Sequence, residues 1–464
     1  MTSPHPYPNR IIMKRISKAT MSVGVAAVLA LGLAACTPGG SAAPASSASL
    51  GPVSKDVGSG KTTLTVWDQN TDTGINDAQQ QLNDEFEKTH PNITIKRVSR
   101  SFADLKTTLK LALSGDNPPD VVQANQGYPD MGAFVKAGYL RPMDDYAELY
   151  DWNSYYPSSL LKLNSFSSDG KTWQGDDLYG VSQTGELVGL YYNKAVLAEA
   201  GISEPPTTLD ELTADMATLK SAGTLPLSYG DVEKSPGIHL YGFALSALAG
   251  HEKVNDLVAG KSGSWTGSDE VEAAETVAGW SKDGYLTEGA NGVSRDDAVA
   301  AFGKGQSGFL ITGTWYLATL QAASQAKDIG FTALTPSGAS TPVTMGGEGL
   351  AWAITSKTKN ANAAAAYIDF ITNEKASEVL VKTGNLPTVV PASDEPASGT
   401  LTGDVTSSYQ AISSANNVTP YLDYATPTFY NTLTAAMQNL TAGQSTPEQF
   451  TKTLQDDYSG FTEK

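Results

Sequence analysis

The stretch YGVSQTGELVGLYYNKAVLAEAGI, Tyr179–Ile202, lies near the middle of this 464-residue chain. Within it, Glu186–Tyr192 is mostly apolar and aromatic, which predicts a strand. Farther on, Thr208-Leu-Asp-Glu211 is a capping box, the mark of a helix start. The apolar positions that follow are at helical spacing: Leu209, Leu212, Met216 and Leu219. Strand and amphipathic helix in succession predict an α/β protein.

The same alternation precedes this stretch. The predicted elements are, in order, a strand at Leu64–Trp67, a helix from Ile75 that Pro91 ends, a strand at Ile93–Val98, a helix whose apolar face holds Phe102, Leu105, Leu109 and Leu113, a buried strand in PPDVVQA, and a short helix closed by Gly138. Strands that alternate with helices favour a parallel sheet with crossover helices.

The second half of the chain continues the pattern without an internal repeat. Helices are predicted at Ser268–Lys282, Ser294–Phe302, Ala361–Thr372, Thr428–Leu440 and Pro447–Tyr458, and buried strands in GFLIT and LAWAIT. Residues 391–406 are rich in Pro, Ser, Thr and Gly, which is typical of a surface loop. The predicted fold class is therefore α/β, and the length suits two large lobes.

The charge of the chain restricts its partners. Its formal net charge is −18, and the first 35 residues contain four basic residues and no acid. The remainder therefore carries −22, which repels phosphate backbones, so we expect no nucleic-acid partner. The same charge is a poor match for an anionic substrate and suits a neutral ligand.

The N-terminus is typical of an export signal. Basic residues up to Lys18 precede the uncharged run Met21–Leu33, whose length of about 13 residues is below the roughly 20 that span a bilayer. The run ends at Leu33-Ala-Ala-Cys36, which is similar to the lipobox of bacterial lipoproteins, and Cys36 is the only cysteine. We predict that residues 1–35 are a lipoprotein signal peptide and that Cys36 is the lipid attachment site. Two acyl chains would make it a lasting membrane anchor.

Residues 36–60 are mostly Gly, Ser, Ala, Pro and Thr. This composition predicts a flexible tether with a reach of roughly 25–30 Å. No later run is as long as a membrane span. We therefore expect the chain on the outer face of the cell membrane, held there by its lipid anchor.

Three catalytic or metal-binding motifs are incomplete. HEKVN, from His251, begins like a zinc-protease helix but ends in Asn instead of the second His. GKS at Gly260 lacks the first Gly of a P-loop, and DQNTDTG, Asp68–Gly74, lacks the bidentate Glu of a calcium loop. We predict no metal, no cofactor and no enzyme activity. A glycosidase stays open, because paired carboxylates need no local signature.

The stretch around Tyr179, with its core Gly189-Leu190-Tyr191-Tyr192-Asn193 and the EPPTTLDEL that follows, resembles bacterial extracellular solute-binding proteins of the carbohydrate type, the maltose-binding-protein-like family. The resemblance extends from about Lys61 to the C-terminus. Further blocks occur in family order: LTVWDQN, SGDNPPDVVQANQ, AVAAFGKGQSGFLITGTWYLATL, GGEGLAWAITSKTKNANAAAAYIDFITNEKASEVL and GNLPTVVPA.

The resemblance implies a periplasmic-binding-protein-like fold with two lobes, each a sheet flanked by helices. Three hinge crossings are expected near Tyr179–Tyr191, near Val343–Leu350 and within Gly384–Pro420. Lobe 1 then comprises residues 61–180 and about 350–385, and lobe 2 about 181–349 and 386–464. The implied function is capture of a sugar or oligosaccharide in the inter-lobe cleft for the permease subunits of an ABC importer. We expect a monomer.

The resemblance also implies ligand-binding residues. Trp315 and Tyr430 match sugar-stacking aromatics, and Glu186 matches a carboxylate that bonds sugar hydroxyls. The other candidates follow predicted strands, at whose carboxyl ends α/β sheets bind ligands, or lie on the return crossing: Trp67, Asp68, Gln123, Asn125, Gln126, Tyr229, Asp231 and Glu348.

Two alternatives to a sugar receptor remain open. One is a surface-anchored glycoside hydrolase, and the other is a binding protein for a non-sugar solute such as a polyamine. A polyamine would suit the acidic charge, whereas the aromatic-rich blocks favour sugar.

Overall fold

The computed structural model describes residues 52–391 and 396–462. The predicted signal peptide, Cys36 and the tether up to residue 51 lie outside the described residues. Within the described ranges, no helix is long and apolar enough to cross a bilayer.

The strands are β1 (Thr62–Asp68), β2 (Ile93–Ser99), β3 (Val121–Ala124), β4 (Ser165–Phe166), β5 (Asp177–Leu178), β6 (Val181–Ser182), β7 (Gly185–Asn193), β8 (Leu225–Ser228), β9 (Ser307–Gly313), β10 (Ile329–Thr332), β11 (Thr344–Glu348), β12 (Ala351–Ile354) and β13 (Val418–Thr419).

The helices are α1 (Ile75–Thr89), α2 (Phe102–Ser114), α3 (Ala133–Lys136), α4 (Asp144–Leu149), α5 (Trp152–Tyr155), α6 (Ser158–Leu163), α7 (Lys194–Glu199), α8 (Leu209–Ser221), α9 (Ser235–Val258), α10 (Ser268–Lys282), α11 (Arg295–Gly303), α12 (Leu317–Gln321), α13 (Ala361–Thr372), α14 (Glu374–Lys382), α15 (Leu401–Ser414), α16 (Phe429–Thr441) and α17 (Pro447–Thr462).

The first lobe is built on a sheet with the strand order β2-β1-β3-β12-β6. Strand β1 pairs in parallel with β2 and β3, as the alternating pattern predicts, and β12 is antiparallel to β3 and β6. Leu64 and Val66 of β1 are fully buried against Phe86 of α1 and Ile368 of α13. The predicted parallel pairing with crossover helices is confirmed for β1, β2 and β3, and the sheet as a whole is mixed.

The second lobe is built on a sheet with the order β13-β11-β7-β9-β8, and β10 pairs with β7. The central strand β7 contains the core of the family-like stretch, and its packing explains why Gly189 and Asn193 occur there. A Cβ on Gly189 would lie 2.1 Å from the ring of Phe331, so only glycine fits there. Asn193 caps α7, because its side chain accepts hydrogen bonds from the amides of Ala195 and Val196, both at 3.1 Å.

The chain passes between the two sheets in three places. Residues 183–184 lie between β6 and β7, and residues 349–350 lie between β11 and β12. The third passage follows α14, which packs on α1 and α13, and precedes α15, which packs on β10. The first sheet extends through Ser182, slightly beyond the lobe boundary expected at residue 180.

Two local predictions are wrong. Residues 401–406, predicted as part of a loop, belong to α15, whose Leu401, Val405 and Ile412 are buried against the second sheet. The last part of the predicted tether lies on the folded body. Val53 and Val57 pack against the first-lobe core, and the amide of Ser54 donates to Asn362 Oδ1 at 3.2 Å.

Candidate ligand-binding cleft

A cavity of about 310 Å³ lies between the two lobes, where the chain passes from one sheet to the other. Its size is at the lower end of the usual range for small-molecule sites. Seven of the predicted ligand-binding residues line it: Gln123, Asn125, Gln126, Glu186, Trp315, Glu348 and Tyr430.

The first-lobe wall includes amides at the carboxyl end of β3, as the strand-end argument predicts, and the loop that follows β1. Gln123 is satisfied internally, because it accepts from the amide of Gln69 at 2.8 Å and donates to Asn70 at 3.3 Å. Gln126 accepts from the hydroxyl of Tyr424 at 3.1 Å and donates to the carbonyl of Gly349. Gln123 therefore orders the first-lobe wall, whereas Gln126 joins that wall to Tyr424 of the second lobe.

Asn125 differs from these two glutamines. Its Nδ2 donates to Asp130 Oδ2 at 3.1 Å, and Asp130 is buried. This bond uses the NH₂ end of the amide as the donor. The remaining Oδ1 of Asn125 is thereby left to accept from a ligand in the cavity.

The second-lobe wall presents two aromatic rings. Trp315 follows β9, and its indole lies so close over Gly313 that a Cβ there would come within 1.9 Å of the ring. His239 supports the indole from the side, with ring centroids 5.2 Å apart. Tyr430 is in the first turn of α16. Each ring is partly buried and lines the cavity, so each can offer a face to an apolar ligand surface.

Two carboxyl groups lie beside the passages between the sheets. Burial raises the pKa of Glu186 to about 7, although a hydrogen bond from Tyr421 at 3.2 Å opposes the shift. Burial also raises the pKa of Glu348 well above its usual value, although hydrogen bonds oppose it; Asn164 donates to its Oε1 at 2.7 Å. Neither carboxyl has a basic partner within 4.0 Å among the described residues.

The sequence predictions missed a second aromatic group on this wall. Tyr421 and Tyr424 lie 5.7 Å apart between ring centroids, and Tyr421 lies 6.1 Å from His239. Burial lowers the pKa of His239 to about 3, so its imidazole is neutral. Asp423 also lines the cavity, and burial raises its pKa to about 6. The aromatic run YLDY was the available signal, since it follows the third predicted crossing directly.

Trp67 and Asp68, predicted to contact ligand, are outside the lining residues. Asp68 is fully buried and binds Arg97 through both oxygens, at 2.7 and 3.0 Å. Ser99 and the amide of Asn70 also donate to it. Trp67 packs under the guanidinium of Arg100, 4.5 Å from the ring centroid. Asp68 thus anchors β1 to β2.

Tyr229 and Asp231 lie behind the second-lobe wall and do not line the cavity either. Asp231 Oδ1 accepts from the amide of Gly237 at 2.8 Å, in the first turn of α9. Burial raises the pKa of Asp231 to about 7. Asp231 thus holds the first turn of α9, which supplies His239 to the cavity.

Charged residues from both lobes meet at the cavity. Asp72 follows β1, whereas Arg295 and Asp296 begin α11. Burial raises the pKa of Asp72, and Arg295 on the opposite lobe lowers it.

No group of three His, Cys, Asp or Glu side chains that could hold a metal ion occurs among the residues the structure describes. The lining offers aromatic faces and hydrogen-bonding groups, a combination that suits a polar ligand with apolar faces.

Comparisons with known proteins agree with this architecture. The family model described as "Bacterial extracellular solute-binding protein" matches residues 81–408, more than two thirds of the chain. The multiple sugar-binding protein of Streptococcus mutans is 25% identical over 313 residues, which are 66% of this chain and 70% of that protein. The diacetylchitobiose-binding protein of Streptomyces coelicolor is 28% identical over 317 residues, 64% of this chain and 67% of that protein.

Solved structures show the same fold. A chitin oligosaccharide binding protein superposes with a TM-score of 0.75 at 21% identity, covering 87% of this chain and 99% of the other. With its two sheets, three passages and cavity between the lobes, the chain belongs to the family of bacterial extracellular solute-binding proteins.

Proposed function

We propose that this protein is the sugar receptor of an ABC importer. It captures a mono- or oligosaccharide between its lobes and delivers it to the permease, without chemistry of its own. The observation that carries the proposal is the lining of the cavity. The rings of Trp315 and Tyr430 lie in the same space as the carboxyl of Glu186 and the free oxygen of Asn125.

A pyranose has apolar C–H faces and a rim of hydroxyl groups. Aromatic rings cover the faces, and carboxylates and amides accept from the hydroxyls. Each buried acceptor that a wrong ligand leaves unmatched costs about 1–3 kcal/mol, which gives selectivity. The names of relatives support this ligand class, because two of them are sugar-binding proteins.

Binding is coupled to closure of the lobes in this proposal. The three passages at 183–184, 349–350 and after α14 act as hinges. Ligand contacts reach Asn125 on the first lobe and Trp315 on the second only when the lobes are together, so the ligand favours the closed state. The permease then recognises that state.

The membrane attachment completes the proposal. Acylated Cys36 holds the protein at the outer face of the membrane as a monomer, and the glycine- and serine-rich segment that follows keeps it close to its permease. The attachment of Val53 and Val57 to the first lobe shortens the free part of the tether.

The test is a thermal-shift screen of the full chain carrying Cys36→Ser, followed by calorimetric titration of the ligands that stabilise it. The panel contains N,N′-diacetylchitobiose, maltotriose, xylotriose, galactose and spermidine. A sugar at a hundred times its Kd should stabilise the fold by about 2.7 kcal/mol. Stabilisation by spermidine alone would contradict the sugar assignment, and release of monosaccharide during incubation would show an enzyme.

A further inference from the structure

Lys106 is a basic side chain that joins the two walls of the cleft. It is on α2 of the first lobe, and its side chain is only 17% exposed. Its ammonium group forms an ion pair with Asp130 of the same lobe. The carboxylate of Asp130 in turn accepts from the amide of Asn125, a side chain that lines the cavity.

The same ammonium group reaches the second lobe. Lys106 Nζ lies 4.6 Å from the centroid of the Tyr430 ring, well within cation–π distance. Phe102, one turn earlier on α2, meets that ring edge-on at 6.5 Å between centroids. Lys106 also lowers the pKa of the buried Asp423, while Asp130 raises it. Both Tyr430 and Asp423 line the cavity from the second lobe.

We propose that Lys106 is a positioning residue that couples ligand binding to lobe closure. Through Asp130 it fixes the ligand-binding amide of Asn125, and through Tyr430 it attaches that arrangement to the opposite lobe. This inference rests on the proposed function for its ligand, but its contacts exist without one.

The coupling follows from what opening would remove. When the lobes separate, Lys106 and Asp130 move together on the first lobe, whereas Tyr430 and Asp423 leave with the second. The ammonium group then loses the ring, and Asp423 loses its nearby positive charge. Closure restores both interactions, so Lys106 favours the state in which Asn125 and Tyr430 face the ligand together.

The experiment compares three variants of the full chain carrying Cys36→Ser. Lys106→Met keeps the length of the side chain without its charge, and Lys106→Arg keeps a cation over the ring. Lys110→Met is the matched control, since Lys110 is exposed on the same helix. Affinity for N,N′-diacetylchitobiose, or for the panel sugar that binds most tightly, is measured by calorimetry. Circular dichroism and the ligand-free melting temperature show whether each variant folds.

We expect Lys106→Met to weaken sugar binding by about five- to thirtyfold, the factor of a desolvated cation–π contact. Lys106→Arg should stay within about threefold of the unsubstituted chain. In the Tyr430→Leu background Lys106→Met should lose the part of its effect that depends on the ring, because the two residues share that contact, whereas the ion pair with Asp130 is unchanged. Affinity equal to that of Lys110→Met, or an undiminished effect in the Tyr430→Leu background, would overturn the inference.

A measurement without ligand separates this inference from the proposed function. The ligand-free radius of gyration by small-angle X-ray scattering should be larger for Lys106→Met than for Lys110→Met. Equal radii would contradict the role of Lys106, whether or not any sugar binds. If the radii differ but the unsubstituted chain binds no sugar, the proposed function fails and the contact between the lobes stands.

Discussion

Glu186→Gln should stabilise the ligand-free protein at neutral pH while weakening its ligand binding. Glu186 is a partly buried residue that lines the cavity, and desolvation of its carboxyl raises the pKa from the usual 4.5 to about 7. Above pH 7 the folded state holds a charge that water would solvate better in the unfolded chain. At about 1.4 kcal/mol per pKa unit, that charge costs about 3 kcal/mol of stability.

The same shift fixes the direction of the pH dependence. Because the folded pKa lies above the unfolded one, the folded state binds more protons between about pH 4.5 and pH 7, and its stability falls as pH rises through that window. Glutamine has nearly the same shape and still accepts from Tyr421, but it carries no charge. As pH rises, the free energy of unfolding of Glu186→Gln should therefore fall less steeply than that of the unsubstituted chain.

Urea unfolding at pH 5 and pH 8 measures this difference. At pH 8 we expect Glu186→Gln to be more stable than the unsubstituted chain by up to about 3 kcal/mol, and at pH 5 by much less. Glu275→Gln, at an exposed position on α10, should change neither value by more than about 0.5 kcal/mol. Equal pH dependence in Glu186→Gln and the unsubstituted chain would refute the reasoning.

Three further outcomes are expected. Trp315→Ala should weaken sugar binding by about 1–3 kcal/mol in calorimetry, by analogy with aromatic–base stacking, with the fold intact; unchanged affinity would remove the ring from the site. Asp68→Asn should cost about 3–5 kcal/mol in urea unfolding, because Arg97 loses its buried partner, and should leave sugar affinity within about twofold. A larger loss of affinity than of stability would place Asp68 in the site after all. Cys36→Ser should release the protein into the medium, and persistent membrane association by fractionation would argue against acylation.

Strands β1, β2 and β3 and helices α1 and α2 of the first lobe were predicted from local patterns, because each pattern needs only the residues of its own element. Alternation along β2 and the apolar stripe of α2 predict their elements directly. Helix α15 was missed because its Gly, Ser and Thr residues have low helix propensity. It forms because Val405, Tyr409 and Ile412 lie at helical spacing and bury one face on the second lobe.

The candidate site was predicted only where a strand end or a family motif marked it. Asn125 and Asp68 both stand at carboxyl ends of strands, yet Asn125 lines the cavity and Asp68 does not. The difference is Arg97, which the pairing of β1 with β2 brings beside Asp68. His239 and Tyr421 come from distant parts of the chain, and the packing of α9 against residues 422–425 brings them together.

The most direct test of a sugar site between two lobes is the crystal structure of the complex with the panel sugar that binds most tightly. We expect one sugar ring against Trp315, with hydroxyl groups donating to Glu186 and to Asn125 Oδ1 from opposite lobes. A sugar bound elsewhere on the protein, or touching one lobe only, would contradict the account.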